Sequence, residues 1–515
     1  MKTPPIAWAI AGNDSGGGAG LSADQRAMAA FGVHACPVVA TVTAQNSQSL
    51  THWHAVPPAW LQQQCEALAA DMPPQAIKTG MIASPEHWAY LAHTLDTLRE
   101  KQSVPWIIDP VLKASTGTHW DNAALLQALR THALPRASVI TPNRAEAAQL
   151  LGWPALQTPD DVVTAAQALR AMGAQAVVIT GGDHATAHSL DYLDSPHAQG
   201  WLSVPTVPTR HTHGTGCTFA SSLAAAMALG FVAADAAVWA KMATTHALQH
   251  SYEAGHGAGP LLPSAAFSSQ RACFPRLTLD PSLSTTTDAF APLPPTPLGL
   301  YAIVDSAEWV RRVLNAGVRT VQLRIKNPHQ TGLENEVRTS QALCRQAQAQ
   351  FYLNDHWQLA LKLGVDGVHL GQEDLASADL SALQAAGVRL GISTHSAWEM
   401  ARALTLRPSY VAVGPVHATL SKDMPWLPQG NANVAYWSQL LDTPVVAIAG
   451  MNPARAQTAA EAGASGIALI SGLTQAADPH AAVQVFQSHI ARGWAMPRAA
   501  APHLPTSTLT SGHHG

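Results

Sequence analysis

The sequence predicts an α/β protein of two domains, a helix-flanked parallel sheet followed by a compact (β/α)8 barrel. Three observations carry this. Short β-branched runs in the first half recur with helical patterns between them, the last three at intervals of about 35 residues, the length of a βα repeat. Eight strand-like runs alternate with helical stretches in the last part of the chain, the count a closed barrel needs. Between them, residues 264–297 hold six prolines and many Ser/Thr with no sustained apolar period, which reads as a linker. The domains so bounded are 1–263 and 298–493, and 494–515 reads as a disordered tail. No internal repeat relates the two halves.

Composition agrees with two large globular domains. At 515 residues and 47% hydrophobic content the chain can bury sizeable cores. Only 12% of residues are charged and the net charge is −4, but the low charge comes from Ala, Gly and Pro rather than from long apolar runs. The nearest thing to a membrane span, Cys217–Ala240, contains Ser221, Ser222, Gly230 and Asp235, and reads as buried helices. With no Lys/Arg cluster, a nucleic-acid surface is not expected. Five cysteines (36, 65, 217, 273 and 344) are odd in number, scattered and without a CxxC, which suits a reducing cytosol and no disulfide framework. The run Ile6–Ala11 ends at a glycine-rich turn with no cleavage-like site, so it reads as a first strand rather than a signal peptide. The 25 histidines show no HExxH and no partner cysteine pattern, so zinc is not expected. A cytoplasmic protein acting on small molecules follows, with no membrane or nucleic-acid partner; homo-oligomerisation stays open.

In the first domain, strands are predicted at Ile6–Ala11, Val38–Val42, Trp106–Asp109, Val139–Thr141 and Val177–Thr180. Ligands of such sheets sit beyond the carboxyl ends of the strands, and polar residues stand there: Asp109, then Asn143 and Glu146, then Thr180-Gly181-Gly182. His213-Gly214-Thr215-Gly216-Cys217 leads into an apolar helix. Its two glycines let backbone amides converge on an anion, and a cysteine at a helix start is biased toward thiolate. A plain helix start with a buried cysteine explains the same residues. Gly16-Gly17-Gly18-Ala19-Gly20 matches neither GxGxxG nor GxxxxGK[ST], so dinucleotide and P-loop readings fail.

The segments IAGNDSGGGAG, LSADQRAMAAFG, TAQNSQ, IKTGMI, IIDPVLKASTG, TPNRAEA, TGGDH and HGTGCT run in order through this domain. Together they resemble the ribokinase-like superfamily, specifically hydroxymethylpyrimidine/phosphomethylpyrimidine kinases, which implies an α/β/α sandwich. Cys217 stands where related sugar and pyridoxal kinases usually carry Asp, and NDSG replaces the commoner TDPSG start. The resemblance implies pyrimidine contacts from Gly12, Asp24, Gln45 and Met81, and ATP or Mg²⁺ contacts from Asp109, Asn143, Glu146 and Lys241. It further implies that the Gly214–Gly216 amides stabilise the transferring phosphoryl group, that Cys217 accepts the hydroxyl proton, and that one pocket phosphorylates first the alcohol and then the monophosphate.

The eight runs of the second domain are Tyr301–Val304, Val321–Leu323, Phe351–Leu353, Gly367–Leu370, Leu390–Ile392, Tyr410–Val413, Val445–Ala449 and Gly466–Leu469. Every one is followed by glycine or polar residues: Asp305; Arg324 and Lys326; Asn354 and Asp355; Gln372 and Asp374; Ser393; Thr419, Ser421 and Lys422; Gly450; Ser471. Any one of these is ordinary in a loop. As a ring they supply cations for a phosphate-rich ligand (Arg324, Lys326, Lys422) and hard oxygen ligands for Mg²⁺ (Asp355, Asp374). Gly450 and Ser471 fall where barrels bind phosphate.

The segments LYAIVD, AGVRTVQLRIK, YLNDHWQLA, GVHLGQEDL, LGISTHS, PSYVAVGPV, SKDMPWLPQG, VAIAGMN and GIALIS resemble thiamine-phosphate synthase across this domain. By position, the resemblance implies that Gln322, Arg324, Lys326 and Asn354 hold the pyrimidine diphosphate, that Asp355 and Asp374 bind Mg²⁺, and that Ser393 and Lys422 touch the pyrophosphate. Thr419, Ser421, Gly450, Ile470 and Ser471 would face the thiazole phosphate. Departures stand at His417-Ala418, usually aromatic-Pro, at Ser421, often Thr, and at Ala449, often Gly. The implied reaction displaces pyrophosphate from the pyrimidine CH₂ and joins that carbon to the thiazole nitrogen. Since the implied kinase product is the implied synthase substrate, a bifunctional thiamine-biosynthesis enzyme is expected. The rival readings are a kinase for a pyridoxal-like alcohol and a sensor in which one half is a degenerate pocket.

Overall fold

A computed structural model of the chain describes residues 3–112, 123–182, 186–284, 288–419 and 425–509. The chain divides into two compact units, the first running to Thr285 and the second from Thr286 to Leu509.

The first unit is built on a ten-stranded sheet. Its strands are β1 (Ile6–Asn13), β2 (His34–Gln45), β3 (Leu50–Ala55), β4 (Ala76–Thr79), β5 (Trp106–Ile108), β6 (Val139–Ile140), β7 (Val177–Ile179), β8 (His188–Asp194), β9 (Gln199–Pro205) and β10 (Arg276–Thr278), in spatial order β10-β9-β8-β7-β6-β5-β4-β1-β2-β3. The six central strands are parallel, β3 is antiparallel at one edge, and β8 to β10 form an antiparallel run at the other. Alternation along β1 sorts its side chains by face. Trp8 and Ile10 enter a large apolar core with Trp106, Ile108 and Leu91. Ala7 and Ala9, buried on the other face, let the alanine-rich helices Gly20–Ala30 and Thr215–Ala228 lie close against β1.

Five strands in this sheet are the predicted ones, and five were not foreseen. β4 is four residues long and buried throughout, with a lysine in its middle, so neither alternation nor an apolar run marks it. The stretch Cys217–Ala240 falls on two helices, Thr215–Ala228 and Ala233–Gln249. Among the described residues no helix is long and apolar enough to cross a membrane.

The second unit is a closed barrel of eight parallel strands: β11 (Gly299–Val304), β12 (Thr320–Leu323), β13 (Gln350–Asn354), β14 (Gly367–Leu370), β15 (Arg389–Thr394), β16 (Tyr410–Val413), β17 (Val445–Ile448) and β18 (Gly466–Leu469). All eight predicted runs are strands. Each is followed by a helix or helical turn, apart from β16, whose loop runs into residues outside the description before the helix Gly430–Leu440. The interior is filled by side chains including Tyr301, Ile303, Tyr352, Tyr410, Val446 and Ala468.

The structure corrects both ends of the expected linker and most of the expected tail. Residues 264–284 carry 3₁₀ turns at Ala265–Ser269 and Arg271–Cys273 and then β10, which pairs with β9. Phe267, Cys273, Phe274 and Leu277 are buried, with Phe267 against Phe31 at 4.6 Å between ring centroids and Phe274 against Trp239 at 5.9 Å. On the other side, Phe290 is buried and its amide donates to the Arg407 carbonyl, while Ser409 Oγ donates to the Ala291 carbonyl at 2.6 Å. The segment lacks periodicity because its aromatic anchors hold an irregular path. The tail behaves alike. The helix Pro479–Ala495 is followed by chain that docks on the barrel: Asn433 exchanges hydrogen bonds with Thr506 at 2.8 and 3.0 Å, the Leu427 amide donates to the Thr508 carbonyl, and Leu504 and Leu509 are buried.

A first unit ending at Pro263 should therefore lose stability on the order of 5 kcal/mol relative to one ending at Thr285, from uncovering two phenylalanines and a leucine. Urea unfolding of the two fragments measures this, and equal midpoints would return residues 264–284 to linker status. Cutting after Thr285 should give two folded pieces, each with its own activity.

Candidate active sites

In the first unit the chain leaves β1 into a turn organised by Asp14. Its carboxylate accepts from the amides of Gly16 (2.8 Å), Gly18 (3.0 Å) and Ala19 (2.8 Å) and pairs with His213 Nε2 at 2.9 Å. Burial alone would raise this carboxyl, but the His213 hydrogen bond and the Ala19 and Gly16 amides outweigh it and hold it below its usual value. The turn thus meets the His213-Gly214 corner from which the helix Thr215–Ala228 starts. Gly214 has φ 87°, and a Cβ there would sit 2.2 Å from the Gly18 carbonyl oxygen, so only glycine can make this close approach.

Behind the helix start lies a buried charge cluster. Lys78, at the middle of β4, is wholly buried and bonds Asp24 Oδ1 at 2.8 Å, with Asp109 Oδ2 at 3.7 Å; Ser221 Oγ also donates to Asp24 Oδ1 at 2.8 Å. Burial opposes the ammonium, yet Asp24, Cys217 and Asp109 around it hold its pKa above the usual lysine value. Burial raises Asp24 despite Lys78. It raises Asp109 to about 6, with Lys78 pulling the other way and Asp24 reinforcing it. Cys217, partly exposed, shares a hydrogen bond with Asp109. Its thiol is pushed up to about 12, first by burial and then by Asp109 and Asp24, against the pull of Lys78. The expected thiolate bias is therefore corrected: the sulfur is buried, and two carboxylates share the helix start with it.

The site residues expected in this unit divide. Gly12 packs on Met81, whose Sδ lies 3.1 Å from the point a Cβ would take, and Gln45 reaches His213 at 3.5 Å. Asp24, Asp109, Gly216 and Cys217 converge on the helix start, with Asp109 Oδ1 3.9 Å from the Cβ position of Gly216. Asn143 and Glu146 cap the helix Arg144–Leu151 reciprocally, at 2.9 and 3.0 Å. Lys241 Nζ is bound to Asp191 and Ser189, both at 2.8 Å, and Asp191 in turn accepts from the Gly181 amide. Sequence reasoning did not single out Asp14, Lys78 or Ser221. The signal for Lys78 was a lone cation inside IKTGMI, in a stretch too short to be recognised as a strand.

In the barrel, the carboxyl ends of neighbouring strands bring most of the predicted residues together. Asp355 follows β13 with φ 62° and donates its amide to the His369 carbonyl. Its carboxyl is raised to about 6, by burial and then by the charge and hydrogen bond of Asp374, with Arg324 opposing. Asp374 Oδ2 accepts from the Gly371 amide at 3.1 Å. Gln372 Nε2 donates to the Ser393 carbonyl at 2.8 Å, and Ser393 Oγ meets His369 Nε2 at 2.9 Å. Burial, with Arg324 adding to it, lowers His369 to about 4. Asn354 and Gln322 are buried at the ends of their strands, and Lys326 is exposed. On the opposite side Gly450 packs against His417 and Ala418, so the first departure from the family pattern lies there; the second, Ser421, lies outside the described residues. The third, Ala449, has φ 81°, the left-handed region that favours glycine. Ile470 is exposed and precedes the turn Ser471–Thr474. Thr419 closes the described part of its loop; Ser421 and Lys422 lie outside the described residues.

Mg²⁺ at Asp355 and Asp374 fits this donor set. Two carboxylates crowd one another in a partly buried place with Arg324 beside them, and among the described residues no group of three or more His, Cys, Asp or Glu could hold a metal alone. That suits an ion which keeps water and substrate oxygens in its shell.

These two sites define a pair of transferases on one chain, a ribokinase-like phosphotransferase and a (β/α)8 synthase. Residues 14–262 match the phosphomethylpyrimidine kinase family and residues 300–473 the thiamine monophosphate synthase family. A probable thiamine biosynthetic bifunctional enzyme of the chloroplast in Oryza sativa subsp. japonica is 31% identical over 485 residues, covering 91% of this chain and 86% of that protein. The hydroxymethylpyrimidine/phosphomethylpyrimidine kinase of Synechococcus elongatus is 44% identical over 50% of this chain and 96% of its own length. The thiamine-phosphate synthase of Escherichia coli O1:K1 / APEC is 50% identical over 36% and 89%. A solved structure of Bacillus subtilis pyridoxal kinase with ADP, 32% identical over 50% of this chain and 97% of that one, superposes with a TM-score of 0.47. The chain belongs to the family of bifunctional thiamine biosynthetic enzymes, with a kinase for hydroxymethylpyrimidine and its phosphate at the front and thiamine-phosphate synthase behind.

Removing the cation from the buried cluster leaves two carboxylates uncompensated. Lys78→Met should cost the first unit about 3–5 kcal/mol. Asp24 already sits above its unfolded value, and without Lys78 it moves higher, so in the variant it favours folding at low pH and opposes it as pH rises. The deficit should therefore grow between pH 5 and pH 8. Denaturant midpoints at the two pH values measure it; a deficit independent of pH would mean Lys78 acts through packing alone.

Proposed function

We propose that the first unit transfers phosphate from ATP to 4-amino-5-hydroxymethyl-2-methylpyrimidine and then to its monophosphate. The barrel condenses the resulting diphosphate with thiazole phosphate, releasing thiamine phosphate and pyrophosphate. The observation that carries this reading is the barrel's ring of Arg324, Lys326, Asp355, Asp374 and Ser393, suited to a diphosphate leaving group, on the same chain as a site suited to making that diphosphate.

In the kinase, Gly12, Met81 and Gln45 frame the pyrimidine. A carboxamide offers both donor and acceptor to an aminopyrimidine edge. Asp24 serves this pocket from beneath through Lys78, since its side chain is wholly buried. The amides at Gly214–Gly216 face the transferring phosphoryl group. Cys217 accepts the hydroxyl proton, and its hydrogen bond to Asp109 gives the thiol's own proton somewhere to go. Asp109 and the residues near it, Asn143 and Glu146, lie toward the nucleotide phosphates; Lys241 supports that side through Asp191. Mg²⁺ would neutralise the nucleotide oxygens there.

In the synthase, Gln322 and Asn354 hold the pyrimidine, while Arg324, Lys326, Ser393 and Lys422 hold the diphosphate. Mg²⁺ held by Asp355 and Asp374 would supply charge neutralisation for the leaving pyrophosphate. Thr419, Ser421, Gly450, Ile470 and Ser471 receive the thiazole phosphate. No residue needs to act as a covalent nucleophile, because the aminopyrimidine can delocalise positive charge as its C–O bond breaks.

Cys217→Ala should lower pyrimidine kinase turnover by about 10² or more and leave the synthase unchanged. Kinase turnover within twofold of wild type would remove Cys217 from proton transfer. Asp355→Ala and Asp374→Ala should each abolish synthase activity on supplied pyrimidine diphosphate and spare the kinase. Near-normal synthase rates in both would refute the metal assignment.

A further inference from the structure

Inside the barrel runs a line of hydrogen bonds that joins two of the proposed substrate contacts, Gln322 and Ser393, through three residues given no role above. Gln322 Nε2 donates to Tyr301 Oη at 3.1 Å, the Tyr301 and Tyr410 hydroxyls lie 2.7 Å apart, and Tyr410 Oη lies 2.8 Å from His369 Nδ1. His369 Nε2 then meets Ser393 Oγ at 2.9 Å. The five residues come from five strands, β12, β11, β16, β14 and β15. The first four are more than nine-tenths buried, and Ser393 alone is partly exposed at the strand end. The path is built into the packing. A Cβ at position 391 of β15 would lie 2.1 Å from Tyr410 Cζ and 2.3 Å from its hydroxyl, so Gly391 is what lets that ring stand where it does. Tyr410 and His369 also stack, with centroids 5.7 Å apart and planes 22° from parallel.

One end of this line has no freedom of direction. An amide nitrogen donates and cannot accept. Tyr301 therefore accepts a hydrogen bond from Gln322, and its own proton, with the Tyr410 hydroxyl 2.7 Å away as the partner to take it, points there; the Tyr410 proton then points at His369 Nδ1. A neutral imidazole that accepts at Nδ1 carries its hydrogen on Nε2. Nε2 in turn donates to Ser393, occupying a lone pair of Oγ. That hydroxyl keeps its proton and one further lone pair, and since no member of the line takes the proton it is free for a ligand. Both side-chain partners of His369 are hydroxyls, so nothing in the line favours the imidazolium form.

We infer that Tyr301, Tyr410 and His369 are positioning residues of the synthase, which through a one-way hydrogen-bond chain present Ser393 as a fixed donor to an anionic oxygen of the diphosphate. This rests on the reading of Ser393 as a diphosphate contact. A free serine hydroxyl offers lone pair and proton alike and must be turned when an anion arrives. One already fixed as a donor meets developing negative charge without reorganising. The chain begins at Gln322, which holds the pyrimidine, so the orientation of that amide and the polarity of the contact with the leaving group are set together.

Two measurements test this on the full chain. In ¹⁵N-histidine spectra, with the His369 signals assigned by their loss in His369→Gln, Nδ1 should be the bare, accepting nitrogen and Nε2 the protonated one. The opposite tautomer in the wild type would overturn the chain's direction. In kinetics, Tyr410→Phe keeps the ring and should raise KM for the pyrimidine diphosphate about tenfold, with KM for thiazole phosphate within twofold. In a Ser393→Ala background the same change should add less than twofold. Equal losses in both backgrounds, which a packing defect would give, overturn the positioning role. A wild-type chain that makes no thiamine phosphate would refute the function instead, and the tautomer would still decide the chain.

Discussion

A parallel strand can be joined to its parallel neighbour only by a crossover, so every strand of a parallel sheet must end on the same edge. Both units obey this constraint, and their chemistry follows from it. In the first, Asp14 follows β1, Gln45 ends β2, Met81 follows β4 and Asp109 follows β5, so four distant stretches of sequence meet beside one helix start. In the second, closure of the barrel turns that edge into a ring, and residues from Arg324 to Ser471 come to surround one mouth. The strands need not know the reaction. They deliver side chains to a place where backbone pairing has stopped and polar groups can face a ligand.

Electrostatics then divide the labour within each ring. One buried ammonium, Lys78, holds Asp24 and Asp109 in place, while burial keeps Cys217 beside them as a thiol against the pull of that same lysine. Among the described residues the barrel shows no buried lysine between its paired carboxylates. Burial and then the neighbouring Asp374 push Asp355 up, with Arg324 and His356 opposing. In the first cluster a buried ammonium bonds one carboxylate directly at 2.8 Å, whereas in the second the mutual repulsion of the carboxylates favours a bound cation. This contrast separates a scaffold of charges from a binding site for one.

The barrel was legible because eight apolar runs of three to five residues, each closed by glycine or polar residues, leave little room for another arrangement, and all eight are strands. The first sheet was legible in its parallel centre and not at its edges. β8 and β9 form a hairpin outside the βα rhythm, and β10 hides in a segment whose anchors, Phe267 and Phe274, follow no period. Residues at strand ends stood out because a polar group there interrupts an apolar run. Lys78, Tyr301, His369 and Tyr410 lie within strands, where a cation reads as an interruption and a tyrosine as packing, so their partners could be known only from the fold. Cys217 shows the limit of local reasoning: a helix start favours a thiolate, but burial, with two carboxylates from elsewhere in the chain adding to it, decides otherwise.

The central claim is that one chain carries the pyrimidine from alcohol to thiamine phosphate. The direct measurement incubates the purified protein with 4-amino-5-hydroxymethyl-2-methylpyrimidine, thiazole phosphate and Mg-ATP, and follows thiamine phosphate, pyrophosphate and ADP together. The account predicts thiamine phosphate with one pyrophosphate and two ADP for each molecule formed. ADP release without thiamine phosphate, or phosphorylation of pyridoxal in preference to the pyrimidine, would contradict it.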